Sequence, residues 1–131
     1  MPTDDIISHE KLLELARHSA AVTCQCKCGL ASCVGWEKIE ISFPEEQMRV
    51  LGTLLIDPYL ELTYAEYHPA GTNYWSADAP IAIQHFPYNR CSIWQCMACE
   101  RCCLMYTEAG GYYVERRIRL LDPQKIVNID G

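Results

Sequence analysis

Nine cysteines occur in 131 residues, and they are gathered rather than scattered. Cys24, Cys26, Cys28 and Cys33 form one group, while Cys91, Cys96, Cys99, Cys102 and Cys103 form the other. Thiolates are soft anionic ligands, and two of them across a tight turn grip a tetrahedral cation such as Zn²⁺. If both groups serve one ion, the fold has to bring two remote stretches of backbone together. That requirement narrows the choice of architecture more than any other feature of the chain.

The competing use of so many cysteines is a disulfide framework, and compartment decides between the two. The chain opens Met1-Pro2-Thr3-Asp4-Asp5, which lacks the basic-then-apolar run of a secretory signal. No stretch approaches the roughly 18 uninterrupted apolar residues of a membrane span. The expectation is a cytoplasmic protein whose clustered, reduced cysteines bind metal. An odd number of cysteines also suits a disulfide framework poorly, because one thiol is left over.

Half of the residues are apolar, enough for a sizeable core, and the length is that of one domain. No repeat, low-complexity tract or linker divides the chain, so 1–131 is read as a single metal-binding domain. The net charge of −6 is carried by residues 1–80, with 5 basic and 12 acidic side chains, against 6 and 5 in residues 81–131. An acidic chain repels phosphate backbones, which disfavours nucleic acid as a partner. The one basic concentration, Arg116, Arg117 and Arg119, reads as a solvated strand face.

The pattern predicts an α+β fold: an N-terminal helix plus an antiparallel sheet with a zinc-ribbon-like C-terminal hairpin. Ser8 caps a helix through Ala20 with an apolar stripe of Leu12, Leu13, Leu15 and Ala16. Residues 24–35 form a small-residue loop. Alternation suggests strands over 36–43, 60–67 and 112–120, and Pro44-Glu45-Glu46 suggests a short helix ending near Gly52. His68-Pro69-Ala70-Gly71 reads as a turn. Residues 91–108 allow either a helix or a strand–turn–strand unit. The latter is preferred, with Cys96-Met97-Ala98-Cys99 as the turn and Gly110-Gly111 closing the next hairpin.

Cys96 and Cys99 carry the strongest ligand signal, since two thiolates at this spacing point at one ion. Cys91 joins them only if residues 92–95 curl back, because an extended path parts the sulfurs by roughly 17 Å. Cys102 or Cys103 is the alternative to Cys91 as a ligand, and because a strand sends them to opposite faces, one of the two is a core residue. Cys24, Cys26, Cys28 and Cys33 supply either a second site or the remainder of the first. His68 is the candidate imidazole ligand, with His85 beside it, while His9 and His18 read as solvated. The metal expected is Zn²⁺. An iron–sulfur cluster is the alternative, since Cys91, Cys96 and Cys99 match three of its ligands, but a distant fourth cysteine downstream is missing.

Signals for an enzyme are thin. Cys96-Met97-Ala98-Cys99 lacks the strand-then-helix setting of a redox dithiol, and no phosphate loop, nucleophile elbow or His-Glu-x-x-His occurs. Glu66 beside His68 is the sole hint of a general base. Tyr64, Tyr67, Tyr74 and Trp75 suit either core packing or a protein interface. The leading reading is a structural zinc protein acting through another protein. A metal- or thiol-dependent enzyme comes second. A nucleic-acid-binding ribbon, resting on Arg90, Arg101, Arg116, Arg117 and Arg119, comes third.

The segments Tyr67-His68-Pro69, Gly71-Thr72, Trp75-Ser76, Ala79-Pro80-Ile81, Pro87-Tyr88-Asn89-Arg90-Cys91 and Gly110-Gly111-Tyr112 together resemble a family of small bacterial proteins of unassigned activity. The resemblance covers the C-terminal half. It implies a bacterial cytoplasm and brings no ligand, partner or reaction.

Overall fold

The computed structural model describes residues 5–56, 59, 61–109 and 114–127. Helix α1 (His9–Ala20) starts where Ser8 turns its hydroxyl to the Lys11 N–H at 3.1 Å, the N-cap bond its sequence predicts. Leu12 and Ala16, one turn apart, are fully buried beneath it. Two strands follow, β1 (Glu37–Lys38) and β2 (Met48–Thr53). The remainder are β3 (Ile81–Ala82), β4 (Ser92–Cys96), β5 (Cys102–Ala109), β6 (Val114–Leu120) and β7 (Ile126–Val127). One antiparallel sheet runs in the order β1-β6-β5-β4-β2, and β3 pairs with β7 in parallel beside it. One helix with a mostly antiparallel sheet is an α+β arrangement.

Both faces of the large sheet are covered. Period-two alternation sends Cys102, Leu104 and Tyr106 of β5 to one side, where they join Leu12, Ala16, Trp36 and Ile93. Cys103 and Met105 point the other way and join Cys28, Leu30, Met48, Cys96, Cys99 and Ile118. Residues 91–108 therefore form strand, turn and strand rather than a helix. β5 and β6 pair in unbroken register from Cys103↔Leu120 to Ala109↔Val114. The expected Gly110-Gly111 turn and the start of the 112–120 strand lie outside the described residues.

Several expectations are corrected. The helix expected after Pro44 is a single 3₁₀ turn at Glu45–Gln47, and the chain then enters β2. Val50 and Thr53 are β-branched, and pairing with β4 outweighs the local helix-start signal. Gly52 belongs here because a Cβ would stand 2.4 Å from the Asp5 carbonyl oxygen and 2.7 Å from Ile7 Cγ1, where the N-terminal segment crosses. The strand expected over 36–43 shrinks to β1, and 61–67 contain none. Among the described residues, 61–67 pair with no strand. Instead the Thr63 carbonyl accepts from Asn89 Nδ2 and Arg90, and the Ala65 carbonyl accepts from the Phe86 N–H.

The largest correction concerns Arg119, which is fully buried rather than solvated. On β6 it shares a face with Arg117, and that face lies under an aromatic layer centred on Trp36. Around Trp36 stand Tyr74, Tyr88 and Tyr106 with ring centroids 5.9, 5.7 and 5.0 Å away. The Arg119 guanidinium donates to the carbonyls of Val34, Ala77 and Ala79 and to the Tyr88 hydroxyl. Arg117 is held by Glu115 and lies over the rings of Tyr74 and Trp75. Arg116 alone of the three reaches outward, to Glu45.

Candidate metal centre

The β4–β5 turn places the first two sulfurs. The Glu100 N–H closes back on the Cys96 carbonyl at 2.8 Å, and the Cys96 N–H donates to the Arg101 carbonyl at 2.9 Å. Glu100 adopts a left-handed backbone with φ 72°, an uncommon state for a residue with a side chain. Its carboxylate meets His18 Nε2 at 2.8 Å, which ties the end of α1 to this turn. Cys96 and Cys99 are both buried inside it.

The second pair arrives on the loop after α1. Cys26 and Cys28 are two residues apart and bring their sulfurs to one side, while Lys27 between them is exposed. Three contacts hold this loop on the sheet. Arg101 donates to the Cys24 carbonyl at 2.8 Å, the Leu120 N–H donates to the Cys33 carbonyl at 2.7 Å, and Leu30 is fully buried among the sulfur-side core residues. Gly29, at φ 73°, makes the reversal that leads from Cys28 into the 3₁₀ turn at Leu30–Ser32.

Cys26 Sγ lies 3.8 Å from Cys96 Sγ, and Cys28 Sγ lies 3.7 Å from Cys99 Sγ. All four sulfurs fall within 4.8 Å of one another. Four sulfurs about 2.3 Å from a single tetrahedral ion stand about 3.8 Å apart, so the group has the size of a one-ion site. Among the described residues no other group of three or more such ligands comes together.

The remaining sequence candidates lie elsewhere. β4 is extended, so Cys91 ends up a strand's length from Cys96, fully buried, with its thiol donating to the Pro87 carbonyl at 3.2 Å. Cys24 is exposed, and Cys33 gives its thiol proton to the Gly29 carbonyl at 3.5 Å. His68 is taken up by Glu66 and Thr72, each 2.7 Å from a ring nitrogen. Cys102 and Cys103 are both fully buried on opposite faces, so both, not one, are core residues. Burial pushes the Cys33 and Cys102 thiols up to about 11 and those of Cys91 and Cys103 well above the usual range. Protonated and enclosed, Cys91, Cys102 and Cys103 behave as small apolar residues. Sequence reasoning missed Arg101 and Leu30 as the fasteners of the loop. A lone leucine among small residues was the available signal for the second.

The thiols within the group differ in proton affinity. The Cys28 N–H aimed at Cys26 holds that thiol down to about 7. Burial, followed for each by neighbouring sulfur, raises Cys28 and Cys96. Both therefore carry a proton at neutral pH, and a cation binding thiolates must displace both. Binding of a divalent ion at pH 7 is expected to release at least two protons, one from each of these thiols. Apparent affinity then rises more than about a hundredfold per pH unit near neutrality and is lost towards acid. Calorimetric titration in buffers of different ionisation enthalpy measures that count, and a value near zero contradicts it.

No family model, curated protein or solved structure matches this chain, and the reading of the centre rests on its own geometry.

Proposed function

We propose that this chain is a small cytoplasmic zinc protein. In this reading Cys26, Cys28, Cys96 and Cys99 hold one structural Zn²⁺, and the fold so fastened acts by contact with another protein. The observation that carries the reading is the convergence of four sulfurs within 4.8 Å from segments about seventy positions apart. Four thiolates saturate a tetrahedral shell, leaving no position for a reacting water, so the ion supplies folding energy rather than chemistry. The Cys96–Cys99 turn on the β4–β5 hairpin serves as a zinc-ribbon-like knuckle, with its second pair borrowed from the α1 loop. A multi-iron cluster spreads its thiolates around several metal atoms and needs more room than this group offers.

Support for a protein partner comes from exposed apolar side chains on 56–75, namely Ile56, Tyr59, Tyr64 and Trp75. The arginines that a nucleic-acid ribbon would use are already engaged: Arg90 with Thr63 and Tyr64, Arg101 with Cys24, and Arg116, Arg117 and Arg119 as described above. Among the described residues no helix is long and apolar enough to cross a membrane. Metal analysis of the purified protein tests the proposal, with one zinc per chain, a colourless solution and loss of fold on chelation as the expected result. Iron with visible absorbance, or a metal-free protein that is fully folded, overturns it.

A further inference from the structure

We propose that hydrogen peroxide converts this centre into two disulfides, Cys26–Cys96 and Cys28–Cys99, that bridge the same two chain segments as the metal; the inference rests on the zinc reading above. The sulfur contacts at 3.8 and 3.7 Å both run from the α1 loop to the β4–β5 turn. Arg101, Leu30 and the Leu120 N–H also tie the loop to the sheet through groups other than sulfur, which keeps each cross-segment pair facing until the first disulfide has formed. Pairing inside each segment is less suited. A Cys26–Cys28 bond spans one residue, too short for relaxed disulfide geometry. A Cys96–Cys99 bond must reshape a turn already fixed by two backbone hydrogen bonds.

Access sets the order of events. Cys26 is the one partly exposed member of the group, beside a shallow surface recess formed with Gln25 and Lys27, whereas Cys28, Cys96 and Cys99 are buried. The Cys26 thiolate attacks one peroxide oxygen, the O–O bond breaks, and a sulfenic acid and hydroxide result. The Cys96 thiolate then attacks the sulfenic sulfur, forming the S–S bond and expelling a second hydroxide. Zn²⁺, with two ligands gone, passes to water. A second peroxide oxidises Cys28 and Cys99 in the same way, so four thiolates and two peroxides give two disulfides and four hydroxides. Oxidation thus exchanges a metal fastening for a covalent one, and the fold outlasts the loss of its ion.

The test uses zinc-loaded Cys24→Ser protein, which lacks the exposed competing thiol. Stoichiometric peroxide is added, zinc release is followed with a chromogenic chelator, and disulfides are mapped by peptide mass spectrometry. The expected result is one zinc released per chain, cross-linked peptides joining Cys26 to Cys96 and Cys28 to Cys99, and a retained far-ultraviolet circular dichroism spectrum. Chelation of a second, reduced sample should abolish that spectrum. Cys96–Cys99 or Cys26–Cys28 links, sulfinic acids, or retained zinc overturn the inference and leave the zinc reading standing. Protein that takes up no zinc before oxidation overturns both.

Discussion

Cys96→Ala is expected to lower the melting temperature by roughly 15 °C, equivalent to about 4 kcal/mol or more for a domain of this size. A buried cysteine acting only as a small apolar side chain costs about 1 kcal/mol when cut to alanine, so the magnitude separates the two roles. The excess comes from metal binding, which is available to the folded chain alone and so appears as folding energy. Chelator sharpens the contrast. It should cost the wild-type protein at least as much, because every bond to the ion is then lost. Cys24→Ser, at an exposed position outside the group, should shift stability by less than about 0.5 kcal/mol. Equal effects at positions 24 and 96 would remove the metal from the account.

The second large effect is expected at Arg119. Its guanidinium is fully buried and, among the described residues, is met by three carbonyls and the Tyr88 hydroxyl rather than by a carboxylate. Those carbonyls belong to 34, 77 and 79, so one side chain on β6 fastens two separate loops under the aromatic layer. Arg119→Met fills similar volume but strands several buried acceptors, at an expected cost of about 3–5 kcal/mol in urea denaturation. Arg119→Lys should recover part of this, since an ammonium has three donors but cannot fork between loops. Arg116→Ala removes an ion pair in which both side chains are well exposed, and should cost less than about 1 kcal/mol. If the two arginines prove equivalent, the buried clamp is not what holds these loops.

The contrast between these arginines shows where sequence reading succeeds. Signals confined to a few neighbouring residues were legible: the Ser8 cap, the α1 stripe, the Cys96–Cys99 turn and the alternation along β5 and β6. Each depends on spacing that the backbone enforces locally. What failed depends on partners far along the chain. Residues 48–53 became a strand because β4 pairs along them, whereas 61–67 meet Phe86, Asn89 and Arg90 through separate hydrogen bonds that build no ladder. The Arg119 face looked solvated because no pattern in β6 announces the aromatic layer contributed by 36, 74 and 88. In the same way, spacing could not choose Cys26 and Cys28 over Cys24 and Cys33. That choice follows from where Arg101 and Leu30 pin the loop.

X-ray absorption at the zinc edge addresses the central claim directly, because it reads the identity and distance of every ligand atom. The account predicts four sulfur scatterers at about 2.3 Å and no lighter atom in the first shell. A shell containing nitrogen or oxygen at about 2.0 Å, or protein that carries no zinc to measure, would contradict it.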